Sequence, residues 1–396
     1  MSILAFRMLY IFIISCAIIV YNYAGYAVIA QLLNIFSRPE KDTRNPPTHL
    51  PGISFIVAAY NEEDFITKKI LNSLEQDYPA ALIEFIFVTD GSTDNTPAII
   101  QNYPAIRLLH QPERSGKSAA INRAVAAAKN EILVFSDANT LLNKEAVARI
   151  ARHYAHPDTG GVAGEKKVIS AGDTDEVGAG EGLYWKYESL LKKIDARFYS
   201  VVGAAGELFS LRTALYEPLS PAIILDDFVL SLRVAEKGYK VAYEPEAFAM
   251  EEPSFSFGDE QKRKIRIAAG GFQSILLLSS LLLFWKHPRL SFLYISHRVL
   301  RWAASPFCLV LALLSNAILC FTPDNIFYLI LFAGQLLFYG MAAAAAILPG
   351  KQPKLLKLPY YFTFMNISVL LGFVRFLRGK QSGVWEKARR IQSSMS

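Results

Sequence analysis

Cysteine is scarce in this chain of 396 residues, and charge is scarce in the long apolar stretches on either side of its middle. The three cysteines, Cys16, Cys308 and Cys320, lie in apolar stretches, and none has metal-ligand spacing. That argues against a disulfide framework or a thiolate metal site and assigns the three to packing. Charged residues make up only 19% against 52% hydrophobic, with a mean hydropathy of +0.25, which is too apolar for an ordinary soluble protein. No Walker lysine motif is present. The nearest thing to a dinucleotide fingerprint, Gly178-Ala179-Gly180-Glu181-Gly182, has the wrong spacing and no plain strand before it, so it reads as a flexible loop. The net charge of +6 suits nucleic acid in sign, but much of it flanks apolar segments, where anionic lipid headgroups account for it. Nucleic acid is therefore not an expected partner.

What is there is a polar middle bracketed by apolar ends. Residues 8–33 are almost uncharged and long enough to span a bilayer. A secretory signal would have a shorter core and a small-residue cleavage site. Arg38, Lys41 and Arg44 follow this stretch and only Arg7 precedes it, so the positive-inside rule places the amino terminus outside and the next domain in the cytosol. Asn45-Pro46-Pro47 reads as a stiff linker. The expected division is 1–37 transmembrane helix, 38–50 linker, 51–258 cytosolic domain, 259–290 basic and interfacial helices, 291–378 membrane helices and 379–396 cytosolic basic tail.

From residue 51 strands alternate with helices: Ile53 to Ala58, a helix over 64–76, Ile83 to Thr89, Ile106 to Leu109, a helix from Ser118 to Lys129, then Ile132 to Phe135. Alternation of this kind predicts right-handed crossovers and a mainly parallel α/β sheet. Four polar loops, near 60, 90, 114 and 137, then share its carboxyl edge, where ligands bind in open α/β sheets. The centre is Glu131 to Thr140, EILVFSDANT: Asp137 and Asn139, one residue apart, can offer oxygens to one spot. Hard cations such as Mg²⁺ or Mn²⁺ take such oxygens and share them with a substrate diphosphate; a strand end capping its turn is the plainer reading of the decapeptide alone. Asp90, beside Gly91, can accept hydrogen bonds from a base or ribose. Lys117, at a helix start, can meet phosphate.

Five segments, VAAYNEE at 57–63, TDGSTDNT at 89–96, SGKSAAIN at 115–122, SDAN at 136–139 and LDDF at 225–228, resemble in order and spacing the membrane-bound family-two glycosyltransferases. This inverting group of GT-A fold includes hyaluronan, chitin, cellulose and poly-N-acetylglucosamine synthases. The resemblance covers roughly residues 50–270 and continues into the membrane segments. It implies a UDP-sugar donor whose uridine is held by Ala59, Tyr60, Glu62 and Asp90, with Lys117 and Asp137 near the nucleotide. Asp137 and Asn139 stand for the family's metal-binding Asp-x-Asp, with Asn139 a departure, since an amide oxygen ligates without charge. Where the family has Glu-Asp with the second residue as base, this chain has Asp226-Asp227, so the resemblance makes Asp227 the base and Asp226 its neighbour. Adjacent carboxylates at a helix start also complement its dipole. Gln261-Lys262-Arg263-Lys264-Ile265 stands where processive members carry Gln-x-x-Arg-Trp. Gln261, Arg263 and Lys264 would face the diphosphate or acceptor, or anchor the chain to a membrane surface.

Other expectations are more local. Val162 to Ile169, with Lys166, reads as a strand near the donor, and residues 181–195 as a helix whose Tyr184 and Trp185 form a sugar platform or pack on the sheet. Ala204-Ala205-Gly206-Glu207 reads as the opening of a strand. Phe272 to Trp285 reads as interfacial, His297 as a polar interface residue, Pro306 to Phe321 and Ile326 to Leu348 as a hairpin across the bilayer, and Pro359 to Phe376 as interfacial or re-entrant. The functional expectation is a multi-pass cell-membrane (inner or plasma) enzyme. It would transfer sugar with inversion to a growing glycan and use a divalent metal, with accessory membrane subunits as further partners. A single-transfer enzyme acting on a lipid or polyprenyl-phosphate acceptor is the second reading. A non-catalytic membrane subunit that senses sugar nucleotide is the third.

Overall fold

A computed structural model describes residues 3–36, 49–168, 176–251, 257–322, 326–347 and 353–379. Asn45-Pro46-Pro47, Ile169, Lys351 and the tail from 380 lie outside these described residues.

Buried β-branched and aromatic runs build an eight-stranded sheet: β1 (Ile53–Ala59), β2 (Ile83–Asp90), β3 (Ile106–Gln111), β4 (Ile132–Asp137), β5 (Thr140–Leu142), β6 (Thr159–Val168), β7 (Leu208–Arg212) and β8 (Lys240–Glu251). The order is β3-β2-β1-β4-β7-β6-β8-β5. Four of the seven pairings are parallel and three, those of β4 with β7, β6 with β7 and β5 with β8, are antiparallel. The sheet is thus mixed, with parallel pairings in the majority. The first four strands are the parallel half, because helices or turns connect them in crossovers. Strand β7 breaks the pattern by entering beside β4 in reverse. Register aligns Ala59 with Thr89, Asp90 with Gln111 and Ala58 with Asp137, so four polar loops do emerge on one edge.

Several local expectations change. The glycines at 178–182 belong to the helix Glu176–Phe198, which begins five residues before the expected one. Glycine weakens a helix by only about 1 kcal/mol per residue, and the packing of this helix on the Tyr26–Leu33 helix, β6 and β8 outweighs that. Residues 204–207 are a loop, and the strand starts at Leu208. Gly203 has φ +83, with Phe228 Cδ2 2.1 Å from where a Cβ would sit, so the turn into this loop admits only glycine. Phe272 lies within the long helix Phe257–Leu277, which therefore takes in the first six residues of the stretch from Phe272 to Trp285.

Among the described residues, three helices are long and apolar enough to cross a membrane: Ile3–Phe36, Ile326–Ile347 and Leu355–Leu377. The bent pair Pro288–Ala303 and Ser305–Leu319, with 53° between its halves, makes a fourth if taken as one span. The stretch 359–376, expected to be interfacial or re-entrant, is one continuous helix from Lys354 to Leu377. Its Pro359 sits in the second turn, where the helix continues past it. Gly372 lets this helix approach the Phe257–Leu277 helix, since a Cβ there would meet Ala268 Cβ at 2.5 Å.

Candidate active site

The first three loops are laced to one another. After β1, Asn61 adopts φ +53, its amide donates to Ser92 Oγ at 3.1 Å, and its side-chain oxygen accepts the Thr93 amide at 2.8 Å. The Glu62 amide donates to Thr96 Oγ1 at 2.8 Å. Ala59 ends β1 fully buried beneath them. Asp90 is fully buried as well, and its carboxylate accepts the amides of Ser115, at 3.1 Å to each oxygen, and of Gly116, at 2.7 Å. The Arg123 guanidinium stands 3.5 Å away. The residue expected to meet a base or ribose therefore holds the third loop. Gly91, at φ +69, is required here, because a Cβ would lie 2.7 Å from Arg114 Cβ. The same arrangement sets the Arg114 guanidinium 3.5 Å from the Tyr60 ring centroid, a flat cationic surface at the loop rim.

The fourth loop carries Asp137 and Asn139, both half-buried, with Ala138 buried between them, so the two side chains share the rim. Lys117 Nζ donates to Asp137 Oδ1 at 2.7 Å and lies 4.0 Å from Asp226 Oδ2. Gly206 brings in the remaining member. A Cβ at that position would stand 3.2 Å from Lys117 Nζ, 3.3 Å from Asp227 Oδ2 and 3.7 Å from Asp137 Oδ2. Lys117, Asp137 and Gly206 also line one small recess with Ala58 and Phe135. Residues 117, 137, 206, 226 and 227, far apart in the chain, thus converge on a few ångströms of space left open by the missing side chain.

The electrostatics follow from that crowding. Burial pushes the Asp227 carboxyl up to about 7, and the neighbouring charge of Asp226 adds to this, against the pull of Lys117. Burial also raises Asp137, with Lys117 opposing. Burial alone would lower Lys117, but Asp137, Asp226 and Asp227 hold its ammonium well above its ordinary value. Asp226 is buried and its Oδ2 has no hydrogen-bond partner. The Asp137 carboxylate and the Asn139 amide offer oxygens of the kind a hard divalent cation takes, so these residues fit one. Among the described residues no three His, Cys, Asp or Glu side chains form a metal cage by themselves. A cation here would share its ligands with a substrate.

Behind Gly206 runs a second line of charge. Lys166, fully buried, pairs with Glu207 at 2.7 Å and with Glu251. Its ammonium lies 5.0 Å from the Trp185 ring centroid, and that of Lys264 lies 5.9 Å from the same ring and 5.1 Å from Tyr184. Glu260, fully buried, holds Lys264 at 3.3 Å and Arg263 at 3.0 Å, while Gln261 is half-buried on the same helix. The aromatics and the basic run, separate in the sequence, therefore meet. Their line reaches Gly206 through Glu207.

Two features escaped the sequence. Lys69 is fully buried and donates to Ser136 Oγ at 2.6 Å and to the Thr140 carbonyl at 2.9 Å. Burial lowers its ammonium to about 7, opposed by Asp137. Its signal was there: Ile66, Lys69, Ile70 and Ser73 form the buried stripe of one helix, an odd place for lysine. His297, expected at an interface, is wholly buried, with Nδ1 2.6 Å from Asp195 and Nε2 3.4 Å from Glu188. No local pattern announces that clamp, because its partners lie about a hundred residues away.

Residues 54–217 match the model of the family described as glycosyl transferase family 2. The poly-beta-1,6-N-acetyl-D-glucosamine synthase of Staphylococcus aureus (strain MSSA476) is 25% identical over 268 residues, 63% of this chain and 63% of that one. The synthase of the same name from Staphylococcus epidermidis is 25% identical over 236 residues, 57% of this chain and 56% of that one. The chain thus spans less than two thirds of the length of these curated relatives. Among solved structures, a mannosyltransferase from Pyrobaculum calidifontis, in complex with GDP-mannose and Mn²⁺, superposes with a TM-score of 0.72 at 22% identity. The match covers 94% of this chain and all of that one. This likeness establishes the GT-A fold.

Proposed function

We propose that this chain, whose residues 54–217 match the family-2 glycosyl transferase model, is a glycosyltransferase that moves a sugar from a UDP-sugar, with inversion, to a hydroxyl of a growing glycan at a membrane. The product belongs to cell-surface or extracellular polysaccharide, in keeping with the two staphylococcal synthases. The observation that carries this reading is the convergence of Asp227, Asp137 and Lys117 around Gly206. An inverting displacement needs one base on the acceptor side and charge complementarity for a diphosphate on the other, and this geometry offers both.

In this reading the acceptor hydroxyl approaches Asp227, whose carboxylate takes its proton as the oxygen attacks the anomeric carbon. The bond from that carbon to the diphosphate oxygen breaks on the opposite face. A carboxyl raised to about 7 suits the task, since a general base works best with a pKa near the operating pH. Lys117 leaves Asp137 to meet phosphate, and Asp226 supports Asp227. Ala59, Tyr60, Glu62 and Asp90 form the nucleoside end, with Asp90 acting through the loop it holds and Arg114 closing over Tyr60. Asp137 and Asn139 would hold a divalent cation, which when bound would supply Lewis-acid neutralisation of the leaving diphosphate. Gln261, Arg263 and Lys264 flank the acceptor side beside Tyr184 and Trp185.

The candidate spans would anchor this site at the inner or plasma membrane with residues 51–258 in the cytosol. The test is transfer from labelled UDP-N-acetylglucosamine, UDP-glucose and GDP-mannose by protein in vesicles, with products sized by chain length. Polymer from a UDP-sugar supports the proposal. Transfer from GDP-mannose alone, or one sugar added to a lipid, overturns it.

A further inference from the structure

Lys69 is an expensive residue where it stands. An ammonium taken from water into a protein interior costs several kcal/mol unless its surroundings repay it. Lys69 repays it with two hydrogen bonds, to Ser136 Oγ and to the Thr140 carbonyl, and with the negative charge of nearby Asp137. Those two partners bracket the Asp137-Ala138-Asn139 turn on either side. Thr140 Oγ1 then donates to the Asp137 carbonyl at 3.0 Å, closing the turn on itself. Ser136 Oγ, having accepted from Lys69, donates to the Glu207 carbonyl at 3.0 Å. Glu207 is the residue after Gly206, around which Lys117, Asp137 and Asp227 meet.

We infer that Lys69 is a positioning residue of this site. Through Ser136 its ammonium ties the turn bearing Asp137 and Asn139 to the Gly206–Glu207 loop, so that the donor and acceptor sides keep one spacing. It touches no substrate. Its helix lies behind the sheet and reaches the site through the relay Lys69 to Ser136 to the Glu207 carbonyl. A methionine of similar length would fill the space without the charge. Losing the ammonium takes a buried donor from Ser136 Oγ and from the Thr140 carbonyl, so the cost falls on the two ends of the turn that carries Asp137 and Asn139. The inference rests on the proposed function only in taking Asp137 and Gly206 as the reacting edge.

The test compares Lys69→Met, Ser136→Ala, their combination, and Ile70→Val as a packing control on the same helix, all in the full chain in vesicles. Amide exchange over 136–140 and 204–208 is the first readout and needs no substrate. Both segments are expected to exchange at least about tenfold faster in Lys69→Met and in Ser136→Ala, and to be unchanged in Ile70→Val. Turnover is the second readout. Support groups behind reacting or metal-binding residues typically contribute about 10–100-fold, so kcat should fall by that factor in Lys69→Met. Donor KM should stay within about threefold, with less than a further twofold loss in the combination. If Lys69→Met does not fold, Ser136→Ala decides alone by the same criteria. Protection of either segment at the wild-type level, or kcat within twofold of wild type, overturns the inference. If the wild type transfers no sugar, the functional proposal fails while the exchange measurement still decides this one.

Discussion

Two charged regions of this molecule differ in almost every respect. At the carboxyl edge of β1 to β4, Tyr60, Lys117, Asp137 and Asn139 are half-exposed, and each sits at the end of a strand, one or two residues past one, or at a helix start. At the joint between the sheet and the apolar helices the charges are buried, Arg298 alone being partly exposed. Glu188 receives Arg298 at 3.0 Å, Arg301 and His297, while Asp195 receives His297 and the Tyr26 hydroxyl at 2.5 Å. Two π-turns, Tyr21–Gly25 and Ile295–Val299, meet there through Tyr21 and Ser296 at 2.7 Å, and Asn22 donates to the Ser296 carbonyl at 2.9 Å. Burial alone would raise the Glu188 carboxyl, yet Arg298 and Arg301 hold it well below the usual range. The rim charges have room left for a ligand. The joint charges are consumed by one another, so they hold three distant segments together.

The comparison breaks or sharpens most at Asp227. Asp227→Asn is expected to lower sugar transfer by about 10²- to 10⁴-fold, the usual cost of a lost general base, with UDP affinity by calorimetry within a few-fold of wild type. Equal losses of binding and turnover would make Asp227 a donor-site residue. Next comes the joint. Glu188→Gln leaves Arg298 and Arg301 facing a neutral amide in a buried place, and breaking a buried pair in this way costs about 3–5 kcal/mol. A large drop in the thermal midpoint in detergent, with UDP affinity kept in the protein that remains folded, marks the joint as architectural. A variant as stable as wild type removes the distinction.

A smaller effect lies in pH. Because Asp227 is raised to about 7 and must be ionised to take a proton, kcat should fall about tenfold per pH unit below 7 and level off above it. Asp226→Asn removes the like charge that helps raise it, so this limb should move to lower pH with a milder loss of turnover than Asp227→Asn. An unmoved limb would detach Asp227 from the pH dependence. The smallest effect is at the rim stack. Arg114→Ala gives up an exposed cation–π contact of about 0.5–1 kcal/mol. A donor KM about two- to fivefold higher, at unchanged kcat, is expected from steady-state kinetics.

Legibility followed locality. The strands ending at Ala59, Asp90 and Asp137 were visible because a parallel strand buried on both faces is a short apolar run closed by polar residues. Lys117 and Asp227 were visible through the motifs around them. The contact between Lys264 and Tyr184 was not, since nothing local says that the helix from Phe257 crosses the one from Glu176. The 204–207 loop was misread because β7 runs backwards beside β4, a pairing that no alternation of residues encodes. Asn139 lies half-buried beside Asp137, and the buried Asp90 carboxylate accepts the Ser115 and Gly116 amides, a contact that residue type and spacing alone do not announce.

By itself the sequence determined the α/β class, the apolar helices at either end and the identity of the polar loops. Each of these is written in a run of ten to twenty neighbouring residues by periodicity or turn chemistry. Only the tertiary structure decided which loops share a point in space. Gly206 makes a gap at which Lys117, Asp137 and Asp227 can meet, Lys69 enters from behind the sheet, and His297 lies between two carboxylates from another helix. These depend on contacts such as Lys69 with Ser136, 67 positions apart, and Lys117 with Asp226, 109 apart, and the burial that raises Asp227 and the arginines that hold Glu188 down act only once the chain has closed around them.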